Sequence, residues 1–295
     1  MGLVKDYTSS LKTIQVEEMP NLLVYRPLAF LLVKLLYPFP ITPNQVSFLA
    51  IIPGVISAYC FSRGDARSFF IAAILLAVSS IFDCADGMIA RLKKNGTKTG
   101  RLVDGIVDYI VGVSVYIGLA LGLNRAVLEG WLELPVNPWI LLVIAALSNI
   151  IHSVVTDYYR NLYDAHKNGK RITPQMEIEE FSAELERLKR DKGNPLDKLM
   201  IKVYLVYLRV QAGKQVKPFV RIDPREYQKH NRLLLILWNL IGPATHVSVV
   251  VISALLYKPV IFFYYTIVFA NLWMLILFLL QDRANRKCTN PKSTA

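Results

Sequence analysis

A chain of 295 residues with 54% apolar side chains and a formal charge of +12 is no ordinary soluble domain, because its apolar residues come in runs long enough to cross a bilayer. The basic excess accompanies no basic–aromatic module, so it argues against a nucleic-acid partner and for loops that face anionic lipid. Cys60, Cys84 and Cys288 lack the spacing of a disulfide framework or a metal site, which argues against thiol chemistry.

Residues 1–20 are mixed and polar, without a signal-peptide pattern, and are expected to form a cytoplasmic tail. Residues 22–37, LLVYRPLAFLLVKLLY, set Arg26 and Lys34 among apolar residues and are interrupted by Pro27. They suit an amphipathic helix lying in the interface better than a span. Tail and helix make a first unit, 1–42. Thr42, Pro43 and Gln45 form a capping-box start. A first span then covers 43–61, with Pro53-Gly54 marking a kink or close packing. A second span covers 68–91, a third 100–123 and a fourth 138–159. Residues 124–137 form a longer loop in which Trp131 is an interfacial anchor.

From 160 to 230 the composition turns abruptly charged. Thr173-Pro174 start an exposed helix and Gly193 stops it. A second, amphipathic helix follows, with Leu199, Val203, Val206 and Val210 on one face, suited to rest on the membrane or to cover a site mouth. A fifth span covers 233–257, bent at Gly242-Pro243. Lys258-Pro259 turns the chain into a sixth, 260–281. A basic tail, 286–295, ends it. The expected fold is an all-α integral membrane protein: six transmembrane helices in 43–285, preceded by an interfacial helix, with a helical cytoplasmic insertion between spans four and five. Lysine and arginine concentrate on the side of both tails and the insertion. The opposite loops carry only Arg63, Arg67, Arg125 and Lys258, so the positive-inside rule puts the richer side in the cytoplasm.

The chemistry lies at the junction of spans two and three, DCADGMIARLKKNGTKTGRLVDGIVD, residues 83–108. Asp83 and Asp86 are three apart, and Asp104 and Asp108 four apart, so on helices each pair shares a face. Ionisable groups in membrane spans are functional candidates. Four like charges need compensation, and divalent cations supply it: Mg²⁺ and Mn²⁺ favour hard oxygen ligands and combine a few carboxylates with substrate phosphate. Two such ions would neutralise the four and still hold a pyrophosphate. Gly87 and Ala90 keep one helix face open, and Arg91 offers a phosphate-binding fork. Gly96 and Gly100 permit a tight turn, and Gly100 lets the two motif helices come close.

The spacing Asp83-x2-Asp86-Gly87-x2-Ala90-Arg91-x8-Gly100-x3-Asp104-x3-Asp108 resembles the complete signature of the CDP-alcohol phosphotransferase family, and Thr42-Pro43-Asn44 resembles the start of that family's first span. The likeness extends over roughly 20–160 and 230–285, leaving the insertion outside it. The resemblance implies a CDP-linked lipid donor such as CDP-diacylglycerol, attack by an acceptor alcohol on the phosphorus next to the lipid, and release of CMP. It implies metal ligation by Asp83, Asp86 and Asp104, with Asp108 as general base and further metal contact. It implies CDP binding by Asp83, Gly87, Ala90, Arg91 and Thr97, and a homodimer packed through membrane helices. Topology offers Arg160, Arg232, Arg283 and Arg286 as acceptor-binding residues. The sequence after Gly100, RLVDGIVDYIV, departs from the Asp-Pro-x-Ala-Asp-Lys and Asp-Ser-Leu-Ala-Asp patterns associated with glycerophosphate and serine acceptors. That leaves inositol or inositol phosphate as the first expectation, with glycerol phosphate, serine or another alcohol as alternatives. His152 and His246 are expected to be packed helix residues. The rival classes are a cation transporter, whose carboxylates would sit near the bilayer midplane, and a non-catalytic scaffold.

Overall fold

A computed structural model describes residues 3–11, 17–134, 136–168, 174–191, 194–212 and 223–289. Among them the regular structure is all helix. In chain order these are α1 (Leu3–Ser10), α2 (Arg26–Leu36, entered through a π-helical turn at Asn21–Tyr25), α3 (Pro43–Arg63), α4 (Ala66–Lys93), α5 (Lys98–Leu128), α6 (Pro138–Asn168), α7 (Pro174–Arg190), α8 (Pro195–Ala212), α9 (Pro224–Asn239), α10 (Pro243–Leu255), α11 (Pro259–Phe263) and, after a π-helical stretch at Tyr264–Phe269, α12 (Ala270–Thr289). Six helical stretches are long and apolar enough to cross a membrane: Pro43–Arg63, Ala66–Lys93, Thr99–Leu128, Pro138–Lys167, Pro224–Leu255 and Pro259–Cys288. The spans expected from sequence correspond one to one with these stretches. The helices run further, however, since charged residues at helix ends extend into water without breaking the backbone ladder. Thr173, Gly193 and most of the C-terminal tail, expected above to start a helix, stop it and form a basic end, lie outside the described residues.

Local chemistry explains the starts and stops. Thr42 Oγ1 accepts from the Gln45 N–H at 3.4 Å and Gln45 Oε1 accepts from the Thr42 N–H at 2.9 Å, closing the capping box. Asp65 caps α4 by accepting from the Ser68 N–H at 2.9 Å. The turn from α4 to α5 uses Lys94, not Gly96, as its left-handed residue, with φ of 51°. Thr97 then caps α5 by accepting from the Gly100 N–H at 2.9 Å.

Helix α3 packs closely on both α4 and α5. A Cβ on Gly118 would lie 2.2 Å from the Ala58 carbonyl oxygen, and one on Gly122 would lie 1.8 Å from that of Phe61. Small residues thus let two backbones touch, as membrane helices favour. Gly54 serves close packing too, since its Cβ would meet Val111 at 2.7 Å. Gly100 allows an approach to Asn44 of α3, where a Cβ would meet Oδ1 at 2.9 Å; the neighbour it accommodates is α3, not α4. Ser57 and Ser79 donate to the Ala72 and Ala50 carbonyls at 2.7 and 2.8 Å, tying α3 to α4.

The second half packs around Trp238 of α9, which stacks on Tyr159 of α6 at 4.6 Å and donates from Nε1 to Gln281 Oε1 at 3.1 Å. Span five is not merely bent: α9 ends at Asn239 and α10 restarts at Pro243, because proline cannot donate into the ladder. His152 and His246 are buried and stacked, with Nδ1 and Nε2 3.2 Å apart. Asn271 Oδ1 and Thr266 Oγ1 complete the set, each at 3.2 Å. The π-helical stretch before α12 frees the Thr266 and Ile267 carbonyls, which accept from Asn271 Nδ2 at 3.3 and 2.9 Å.

The insertion is an antiparallel pair, α7 and α8. Phe181 and Leu185 of α7 are buried against Ile201, Leu205 and Leu208 of α8, with Leu102 of α5 beside them. So α7 is half-buried, contrary to the expectation of an exposed helix. The apolar face of α8 with Leu199, Val203 and Val206, expected to rest on the membrane or cover a site mouth, is exposed. The helix carries two apolar stripes, and α7 covers the other one.

The α3–α5 contact sets the first test. Gly122→Ala is expected to cost about 1–3 kcal/mol through overpacking. Gly105→Ala, with nothing within 4 Å of its Cβ, is expected to leave thermal unfolding in detergent unchanged or raised. Equal melting temperatures for wild type and Gly122→Ala would refute the contact.

Candidate active site

The α4–α5 hairpin brings the aspartates together. Asp83, Asp104 and Asp108 each present a carboxylate oxygen, and these oxygens lie within 4.8 Å of one another. Asp83 and Asp104 are half-buried and Asp108 is exposed. Asp86 is buried at 5% exposure and accepts a short hydrogen bond from the Ser47 hydroxyl of α3. All four line one cavity of about 940 Å³.

Acidic clusters occur without metals, so the donor chemistry matters. Asp104 Oδ1 is buried and has no hydrogen-bond partner among the described residues. A buried, unsatisfied carboxylate oxygen facing two other carboxylates is costly, and a hard cation would relieve it. The oxygen-only donor set fits Mg²⁺ or Mn²⁺.

The cavity has two characters. Its mouth is polar: Glu17, Glu18, Arg26, Arg91, Arg101, Asp157, Arg160, Asn161 and Asp164. From the aspartates it continues between α4 and α5 to Leu76, Val111, Val115 and Tyr116, and reaches Val247 and Val250 of α10. At 1.5 Å per residue, Arg101 to Tyr116 spans roughly 22 Å. One space therefore joins a charged mouth to an apolar throat at membrane depth.

Gly87, Ala90 and Arg91 line the mouth. Arg91 lies over Gly87, where a Cβ would meet Nη2 at 3.3 Å, and its Nε donates to the Ser10 carbonyl at the end of α1. Thr97 is exposed, away from the cavity lining, with its hydroxyl engaged as the α5 cap. Arg160 lines the cavity, and its Nη2 meets Glu18 Oε1 at 2.8 Å while Nε donates to Asn239 Oδ1 at 2.8 Å. Arg232, Arg283 and Arg286 are exposed outside it. Their neighbours Asn231 and Gln281 hold the inward positions on α9 and α12, so helical phase turns these arginines outward; Arg286 pairs with Asp282 at 2.8 Å.

Glu17, Glu18 and Ser47 were not singled out in the sequence, where residues 1–20 read as a tail. Glu18 Oε2 accepts from the Thr245 N–H at 2.8 Å and its hydroxyl at 3.0 Å, so the N-terminal segment caps α10 across the cavity. Tyr25, beside it, accepts from the Ser248 hydroxyl at 3.2 Å. Burial pushes the Tyr25 phenol up from its ordinary value. The sequence signal was an acid pair eight and nine residues ahead of an arginine in an apolar helix.

Residues 40–176 match the family model for CDP-alcohol phosphatidyltransferase, which shows that domain across these residues. An archaetidylinositol phosphate synthase from Pyrococcus horikoshii is 32% identical over 89 residues, covering 30% of this chain and 46% of the relative. A bifunctional IPC transferase and DIPP synthase from Aquifex aeolicus is 31% identical over 123 residues, covering 41% of this chain and 26% of the relative. A phosphatidylinositol phosphate synthase from Corynebacterium glutamicum is 26% identical over 141 residues, covering 48% of this chain and 58% of the relative. The chain thus spans about half, or less, of the first two relatives.

Crowded carboxylates predict opposite effects with and without metal. Asp104→Asn is expected to raise the melting temperature in chelator by removing a repelling charge, and to abolish the stabilisation that Mn²⁺ gives the wild type. Equal Mn²⁺ stabilisation of both proteins would refute ligation at Asp104.

Proposed function

We propose that this chain, which carries a CDP-alcohol phosphatidyltransferase domain, transfers a substituted phosphate from a CDP-linked lipid to an alcohol and releases CMP. The observation that carries this reading is the single cavity whose charged mouth holds the four aspartates and whose apolar throat runs between α4 and α5. An amphipathic donor needs both parts: a polar place for nucleotide and pyrophosphate, and an apolar path for the lipid.

In this reading Asp83, Asp86, Asp104 and Asp108 hold two divalent cations, Mg²⁺ or Mn²⁺. Bound there, the cations supply charge neutralisation of the pyrophosphate and of the departing CMP. Gly87 and Ala90 leave room for the nucleotide, with Asp83 and Arg91 beside it. Asp108, the most exposed carboxylate of the metal-competent trio, takes the proton of the acceptor hydroxyl. The hydroxyl oxygen attacks the phosphorus next to the lipid, the bond from that phosphorus to the CMP oxygen breaks, and CMP leaves with the electron pair. Arg160 is the acceptor-side candidate, since it alone of the four arginines considered lines the cavity.

Phosphatidyl from CDP-diacylglycerol is the proposed group transferred. Inositol or inositol phosphate is the proposed acceptor, supported by the names of the relatives from Pyrococcus horikoshii and Corynebacterium glutamicum. The reading also includes a homodimer in the bilayer, with the aspartates and both termini on the cytoplasmic side. Cation transport is not favoured: the carboxylates flank a turn at one end of two continuous helices, and transport sites sit at broken helices near the midplane.

The test is CMP release from CDP-diacylglycerol by purified protein in detergent with Mg²⁺ or Mn²⁺, across inositol, inositol phosphate, glycerol phosphate and serine. One acceptor is expected to support release, and Asp108→Asn is expected to slow it by about 10²–10⁴-fold. Release at the wild-type rate in that variant would remove the general-base assignment. No release with any acceptor, together with no CDP binding, would overturn the phosphotransferase reading.

A further inference from the structure

Arg26 stands at the start of α2, one residue before Pro27. Tyr25, Ala29 and Val33 around it pack against Cys84, Ala85 and Met88, so the aspartate motif is the surface α2 lies on. The Arg26 side chain is 6% exposed and Glu17's is 5% exposed. One guanidinium nitrogen, Nη2, donates to Glu17 Oε1. Nε and Nη1 are buried and have no partner among the described residues. Both Arg26 and Glu17 line the cavity that holds Asp83, Asp86 and Arg91.

A guanidinium carries five N–H donors in a planar fork. One carboxylate oxygen uses a single corner of it, and buried donors left over are costly. A buried ion pair with such poor satisfaction is weak evidence for a stabilising role. A phosphoryl group matches the fork better, because its oxygens can accept from Nη2 together with Nε or Nη1. The arrangement is that of an anion site filled by an incomplete internal ligand. The ligand comes from the N-terminal segment, whose next residue, Glu18, is bound to Arg160 in the same way at 2.8 Å.

We propose that Arg26 is a phosphoryl-binding residue of the cavity, and that Glu17 occupies it until a substrate phosphoryl group displaces the carboxylate. The proposal rests on the phosphotransferase reading for the source of the phosphoryl group, which is either the donor's pyrophosphate or the phosphate of a phosphorylated acceptor. Arg26 then helps position that group beside the aspartates, and Glu17 sets the affinity by competing for the same nitrogens.

The test measures binding of CDP and of inorganic phosphate to the purified full chain in detergent with Mg²⁺, by calorimetry, for wild type, Glu17→Gln and the double variant E17Q/R26Q. The double variant removes both charges and so avoids stranding one of them in the interior. Glu17→Gln is expected to bind the relevant probe several-fold more tightly, and E17Q/R26Q to bind it roughly tenfold or more weakly than wild type. Weakening for CDP assigns Arg26 to the donor; weakening for phosphate alone assigns it to a phosphorylated acceptor. Unchanged affinity for both probes in both variants, with lowered melting temperatures, would make the pair purely structural and overturn the proposal. If wild type binds phosphate but not CDP, and the double variant loses phosphate, the phosphotransferase reading falls and the anion site stands. Binding of neither probe by wild type overturns both.

Discussion

Mutual repulsion among carboxylates governs this molecule. Asp83, Asp104 and Asp108 bring oxygens within 4.8 Å of one another, at the ends of helices that are otherwise apolar, and nothing in a low-dielectric setting would keep them there unaided. The restraint is mechanical. Helix α3 presses on both motif helices: Ser57 and Ser79 pin it to α4, and Gly118 and Gly122 bring the α5 backbone against its carbonyls. Ser47 of the same helix supplies a hydroxyl to Asp86. The close packing far from the cluster thus fixes the spacing within it.

The mouth of the cavity shows the opposite logic, with opposite charges held together. Arg26 meets Glu17, and Arg160 meets Glu18. Arg91 is tied to the backbone at Ser10, and Lys34 meets Asp6 at 2.6 Å. Four basic residues from three helices are engaged by the first 18 residues of the chain. Through Glu17 and Glu18 the N-terminal segment forms part of the wall of the site.

Much of this was legible in the sequence, for identifiable reasons. Apolar runs of span length have one stable outcome in a bilayer, so the six spans could be read directly. The aspartate spacings define shared helix faces, so the cluster could be read from the motif. What was not legible depended on three dimensions. The phase of α9 and α12 turns Arg232, Arg283 and Arg286 outward, because the buried network of Asn231, Gln281 and Trp238 takes the inner face. The left-handed residue of the motif turn is Lys94 although Gly96 stands two positions on. Which stripe of α8 meets α7, that of Ile201, Leu205 and Leu208, is set by the tertiary pairing of the two helices. Glu18 stands in a polar stretch where nothing local announces partners 142 and 227 residues away.

That last separation bears on how the molecule is made. Glu18 leaves the ribosome early, and the backbone amide it binds, that of Thr245, follows 227 residues later. At ordinary rates of synthesis the interval is roughly ten to fifty seconds. Until then Glu18 lacks this amide, although the aspartate hairpin, residues 83–108, has already been made. The wall of the cavity that Glu18 makes with Thr245 therefore closes only once the fifth span is in place.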